Sequence, residues 1–503
     1  MDGKKGFKNI IWGIFAQVVT IGLGIFIPRL VLVNLGSEAN GLLNSISSIL
    51  SYMSLLEAGV GTSTLQALYT PLANSDKNSV NQIMAATDKF YKRTGTVYFL
   101  IVIALSVGYT GIVKTTLPKT AVFLVVILSG LSGVLSYFFQ GKYKILLSAE
   151  GKSYVNTNIT TLSTVGVSIV KAVILVAGGN VVLVQSVYFA FNLLQMLLIL
   201  AYIHKHYPWL NLKVTPNFEA MAQRKAVLVH QISSLIFSNT DVIILTAFTS
   251  LKTVSVYSMY AMIFGMVKSV AVTISESFVY ALGQSYNNKE KFTKMFNAYE
   301  IYNIAITFSL FCITGIIILP FLKVYTSGVG DVNYVDKYVA WLFVAYYLLH
   351  NGRASSGCVI SIAQHFEQTK WRSVIESVIN LTASLVLTYK FGIYGVVLGT
   401  IIALVYRAND MIIYAARILE RSPLITYRRW VRNLVILIAM VFIASKIQVN
   451  LKSYIEIGFY GVVLSATIIP IFILVNSIME PQSAKYAFNI IRNMVSNKLG
   501  KNN

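Results

Sequence analysis

A chain of 503 residues with 56% hydrophobic and only 12% charged residues, at a mean hydropathy of +0.67, is not a soluble globular protein. Soluble domains run at roughly 45–50% apolar and about 25% charged residues. The formal net charge of +22 does not indicate a nucleic-acid binder. The Lys and Arg residues are spread over many short links, whereas a nucleic-acid binder gathers them on one face or tail.

Fourteen mostly apolar stretches follow one another along the chain. A bilayer core about 30 Å thick needs about 20 such residues per helical crossing, and helices satisfy their own backbone groups where no water can. The N-terminus reads MDGKKGFK and runs into an apolar segment with no small-residue cleavage pattern, so a retained first helix is expected. The predicted spans begin with Ile10–Leu35, Leu42–Leu65, Gly95–Val113, Ala121–Phe139, Ile159–Ala177 and Val181–Ile203. After a polar link come Ala226–Phe248, Val254–Leu282, Ile301–Leu322, Val339–Ile362, Val374–Tyr389 and Ile393–Ile413. Trp430–Ile447 and Ile457–Ile478 close the series. Cys312 and Cys358 both fall inside these spans, as small buried hydrophobes without a disulfide framework or metal site behind them.

The charges of the links test this count independently, because cytoplasmic loops carry the excess of Lys and Arg. With the N-terminus inside, the outer links hold only Lys114, Lys119, Lys252, Lys323, Lys337, Lys390, Lys446 and Lys452 of the 41 basic residues. Arg29, Lys171, Lys268, Arg353 and Arg407 lie within spans, and all the others fall inside. One missed helix would invert this parity downstream. The expectation is a multi-pass membrane protein with both termini cytoplasmic.

The link HKHYPWLNLKVTPNFEAMAQRK is the longest and carries two prolines. It suggests an N-lobe over residues 1–204, a linker over 205–225, a C-lobe over 226–414 and a final helix pair with a tail over 415–503. Transporters are often built from two such halves.

Ionisable groups within a span are costly and usually functional, with ion pairing between helices as the alternative reading. Arg29, Lys171, Lys268 and Arg353 suit the binding of an anionic group, and arginine in particular grips phosphate oxygens with a planar fork. Glu57, Asp241 and Glu276 are the candidates for carrying protons or sodium ions. His350 is a further proton-carrier candidate. Glu376, Arg407 and Asp410 sit near span ends, where snorkelling would account for them. Pro28 directly before Arg29 could kink the first helix, and Gly59 and Gly61 thin the second for close approach. Gly151-Lys152-Ser153 ends like a phosphate loop, but Leu146 stands where the first glycine is required. Without a metal-spaced His/Cys group or a nucleophile setting, no enzyme, no cofactor and no nucleic-acid partner are expected.

The stretch IPRLVLVNLGSEANGLLNSISSILSYMSLLEAGVGTSTLQALYTPLA carries an Arg in helix 1, then Leu35-Gly36, Gly41-Leu42 and Glu57-Ala58-Gly59. It resembles the Wzx-type polysaccharide transporters of the multidrug/oligosaccharidyl-lipid/polysaccharide exporter superfamily. The resemblance implies an all-α polytopic fold of about fourteen helices, in two six-helix lobes plus a C-terminal pair. It further implies a flippase that moves undecaprenyl-diphosphate-linked oligosaccharide to the outer leaflet by alternating access. The partners implied are that lipid-linked substrate, membrane lipid and a polysaccharide polymerase with its chain-length machinery. Arg29 matches the family's helix-1 arginine, while Lys171, Lys268 and Arg353 match only as buried cations. A lipid II flippase and a multidrug or metabolite antiporter of the same superfamily are the alternatives. In the former a carboxylate follows the helix-1 arginine, whereas here Leu30 follows Arg29.

Overall fold

A computed structural model describes residues 3–57, 59–218, 225–447 and 449–499. The first helix, α1 (Gly3–Ser51), carries Pro28 inside it and breaks at Gly36, where φ is +80°. It continues through a tight 3-10 turn, Tyr52–Leu56, to α2 (Val60–Ala73). Then come α3 (Lys77–Ile112), α4 (Lys119–Leu135), a π-helical turn at Ser136–Gln140, α5 (Gly141–Ala149), α6 (Ser153–Val176) and α7 (Val181–His206). Beyond the link stand α8 (Lys225–Phe248), α9 (Leu251–Ser285) and α10 (Lys289–Tyr325). They are followed by α11 (Lys337–Gly352), α12 (Ala354–Ile362), α13 (Phe366–Phe391) and α14 (Ile393–Ile418). Last are α15 (Leu424–Lys446), α16 (Tyr454–Met479) and α17 (Pro481–Leu499).

Helix starts follow from residue chemistry, since each leaves backbone N–H groups that a short polar side chain can accept. Asp76 caps α3, Asn180 caps α7, Asn288 caps α10, Asp336 caps α11 and Ser453 caps α16.

The fourteen predicted spans fall wholly or mostly on helix among the described residues, and eleven helices there are long and apolar enough to cross a membrane. Phe15–Leu56 holds most of the expected first and second spans in one run. The tenth span is broken at Arg353 between α11 and α12, and α15 opens on the charged run Arg428, Arg429 and Arg432.

The chain forms two compact units. The first comprises Met1–Val256 with Gly328–Val332, and the second Tyr257–Ser327 with Asn333–Asn503. In the first, Leu68, Met84, Leu146, Leu147 and Ile199 form one apolar core, and Leu42, Val122, Val125 and Val126 another. Gly41 is required where α1 meets the start of α9, because an added Cβ would lie 1.9 Å from the Leu251 carbonyl oxygen. Asp331 joins this unit by accepting from the Ser37 hydroxyl (2.6 Å) and backbone N–H (3.1 Å) just past the Gly36 break. The expected linker, 205–225, is fastened to the same unit as far as it is described. Asn211 donates its N–H to Asn81, Asn217 donates to Gln82, and Lys77 stands over the Trp209 ring. Its residues 219–224 lie outside the described residues. In the second unit Phe264, Phe311, Phe343 and Tyr347 stack into an aromatic core.

Candidate functional site

The second predicted span is interrupted where the sequence places Glu57. The chain tightens over Tyr52–Leu56, Gly59 takes the left-handed φ of +84°, and α2 starts afresh at Val60. A side chain at Gly59 would be strained there, which is why glycine serves. The Tyr91 hydroxyl donates to the Glu57 carboxylate, and Lys144 lies within its electrostatic reach. Gly61 makes room for this carboxylate, since a Cβ there would stand 3.2 Å from Oε1. A cavity of about 390 Å³ opens at the break, lined by Ser54, Glu57 and Thr62 and by Gln231 and Ser234 of α8. Further along α8, Asp241 is 3% exposed and within electrostatic reach of Tyr52, whose hydroxyl meets that of Thr240 at 2.8 Å. The structure thus brings Glu57 and Asp241 to one helix and the break beside it. Glu276, the third carboxylate of that set, is exposed on α9.

Lys171 occupies a different place in the same unit. It lines a chamber of about 510 Å³ with Ser47 and Ser51 of α1, Tyr98 of α3, Ser132 of α4, and Gln185 and Asn192 of α7. Its ammonium stands 4.9 Å from the Tyr188 ring centre, a cation–π distance. No carboxylate among the described residues pairs with it. An ammonium ringed by hydroxyls and amides can bind an anionic group and hydrogen-bond its neighbouring oxygens. Arg29 is half-buried on α1 and does not line this chamber.

In the second unit, the break between α11 and α12 falls on Arg353. Its guanidinium meets Glu376 of α13 at 2.5 Å, and Glu376 also meets Arg407 of α14 at 3.3 Å. Arg407 pairs with Asp410 at 2.7 Å and donates to Ser373, while Arg372 pairs with Asp410. The expectation that Glu376, Arg407 and Asp410 snorkel to water is therefore corrected. Arg407 is 6% exposed and Glu376 7%, and they answer one another inside the bundle. Lys268 of α9 lies within electrostatic reach of Arg353 and His350. Among the described residues, Glu376 and Asp410 thus tie Arg353, Arg372 and Arg407 into one network, with Lys268 beside it.

Sequence reading missed two further networks because their basic residues fall in or beside links. Asp88 on α3 pairs with Lys142 of α5 and with Lys92, and both Asp88 and Lys142 are buried. Glu300 on α10 is fully buried and binds Arg421 (2.5 Å) and Arg429. Arg429 in turn holds Glu480 at 2.5 Å, and Arg432 holds it at 3.0 Å. Burial pushes the Glu480 carboxyl up, but hydrogen bonds and charge from Arg429 and Arg432 outweigh this and keep it below the usual carboxylate range. The scarcity of acids, 19 against 41 bases, was the available signal, since a buried acid in such a chain has many cations to recruit.

No protein-family profile matches the sequence, and no curated protein does. Solved structures do match. A lipid II flippase MurJ in an inward closed conformation aligns over 93% of this chain and 99% of its own, at 14% identity and a TM-score of 0.67. An inward-facing multidrug resistance MATE family transporter of the MOP superfamily aligns over 80% of this chain and 94% of its own, at 13% identity and a TM-score of 0.62. An outward-facing MATE family transporter aligns over 80% and 94%, at 11% identity and a TM-score of 0.50. The chain is a multi-pass membrane protein, all-helical over its described residues, with the fold that the MurJ flippase and the MATE family transporters share.

Proposed function

We propose that this protein is a flippase that moves an undecaprenyl-diphosphate-linked oligosaccharide from the cytoplasmic to the outer leaflet of the inner membrane by alternating access. The observation that carries this reading is the Lys171 chamber, a space lined largely by polar side chains within a membrane bundle, whose cation meets no carboxylate among the described residues. A buried cation with no counter-ion is expensive unless something anionic visits it. Lys268, within electrostatic reach of Arg353, is the contact expected for the same substrate charge in the second unit. Diphosphate supplies the anion, and the hydroxyls and amides of the chamber suit the sugar oxygens beside it. Arg29, on the kink-prone first helix, is the remaining contact expected for the diphosphate.

Glu57 and Asp241 would carry coupling protons or sodium ions, because Glu57 sits at a helix break, where backbone carbonyls are freed for ions, and Asp241 is a buried carboxylate on α8 within electrostatic reach of Tyr52 in the adjoining turn. Glu276 is the third candidate for this role. Both termini would face the cytoplasm, and a polymerase with its chain-length machinery would receive the product.

A second reading is favoured by the MurJ likeness, which spans 99% of that chain. The cargo would then be lipid II, whose diphosphate asks for the same cations. Inverted vesicles loaded with fluorescent lipid-linked oligosaccharide or with lipid II separate the two. Protection of the oligosaccharide lipid from an external glycosidase supports the first reading. Movement of lipid II alone supports the second, and movement of neither overturns both.

A further inference from the structure

We infer that the exposed face of α17 is a docking surface for acidic phospholipid headgroups. The argument begins with the turn that leads into this helix. The apolar helix α16 ends at Met479, and α17 starts at Pro481, so the new helix opens within two residues of a membrane-crossing segment. Glu480, at the elbow, is held by Arg429 and Arg432, and Asn433 and Asn476 exchange hydrogen bonds (3.1 and 2.8 Å) just before it. The elbow is therefore rigid, and its one carboxylate is already neutralised.

The helix packs against α10, and its residues Ala484, Tyr486 and Ala487 are half-buried. Lys485, Phe488, Asn489 and Arg492 are exposed on the opposite side. Spacings of three and four residues put Lys485, Phe488 and Arg492 on one face. Phe488 is 66% exposed between the two cations. A large aromatic ring in that setting is poorly served by water but well served by the headgroup boundary, where an apolar ring inserts and flanking cations meet lipid phosphate. Residues 481–503 contain no Asp or Glu, while Lys498 and Lys501 add further positive charge. An acidic bilayer surface complements this charge, and the covalent link to α16 puts such a surface within reach. The surface belongs neither to the Lys171 chamber nor to the Arg353 cluster, and its reading does not depend on the cargo.

The test uses the full chain reconstituted in vesicles. Cys312 and Cys358 are buried, so a nitroxide label on Phe488→Cys reports the α17 face. In phosphatidylglycerol vesicles the label should collide with dissolved oxygen more than with a water-soluble nickel chelate. Lys485→Gln with Arg492→Gln should reverse that preference, with the affinity for the acidic surface dropping about fivefold per charge removed. Native mass spectrometry should show the double variant retaining fewer phosphatidylglycerol molecules than the parent. Equal nickel access in phosphatidylglycerol and phosphatidylcholine vesicles would overturn the proposal, as would lipid retention unchanged by the double variant.

Discussion

Lys171 in the first unit and Arg353 in the second are both cations within predicted apolar spans, yet the fold treats them differently. Lys171 leans on the Tyr188 ring and faces a polar chamber, whereas Arg353 is closed onto Glu376, which is itself shared with Arg407. Two solutions to one desolvation problem are visible here. A chain can supply the counter-charge itself, which stiffens the bundle, or leave the site open to a visitor. Only the second arrangement holds binding capacity in reserve.

This contrast can be broken by experiment, and the largest effect is expected where charges are fully enclosed. Glu300→Gln leaves Arg421 and Arg429 buried without the carboxylate they share, and should destabilise the protein by about 3–5 kcal/mol. Thermal unfolding in detergent reads this directly, and an unchanged midpoint would show that the network is not a structural clamp. The same logic separates the two named cations. Arg353→Ala should lower the unfolding midpoint because Glu376 loses a partner, whereas Lys171→Ala should leave it in place and cut the proposed flipping of lipid-linked cargo by roughly 10–100-fold. If Lys171→Ala destabilises and transports normally, the chamber is packing rather than a site. Gly59→Ala places a side chain at φ +84° and should cost about 1–2 kcal/mol while weakening whatever the Glu57 break does.

The smallest expected effect is a pH dependence at the α16–α17 elbow. Glu480 has a depressed carboxyl in the fold, so its contribution is complete above the usual glutamate value of about 4.3 and fades as pH falls through the lower folded value. Unfolding followed from neutral pH into that acid window should show a loss that Glu480→Gln abolishes.

The helices themselves were legible in the sequence, because apolar runs of membrane length have few alternatives and charged links punctuate them. The breaks were less so. Glu57 and Arg353 stood out as charges, but nothing in the composition of their spans announced that the helix stops at both. Gly59 was readable as a thin spot, and the structure shows it instead turning the chain. Arg429 was harder still. Counted among basic link residues, it is 2% exposed, because its partners Glu300 and Glu480 lie 129 and 51 positions away. Local pattern gives the element, while pairing over such separations is decided only when the bundle closes.

The π-helical turn at Ser136–Gln140 has its own consequence for how this bundle can change. Such a turn is an α-helix holding one surplus residue, so everything beyond it is swung by about a quarter of a revolution. Ser132 and Ser136 point into the Lys171 chamber, and six residues past Ser136 Lys142 reaches Asp88. Deleting a single residue here would let the helix regularise and would rotate Lys142 off its carboxylate while the serines stayed put. A lone codon loss at this position would thus unhook one end of the helix from the other, a larger rearrangement than most substitutions nearby could cause.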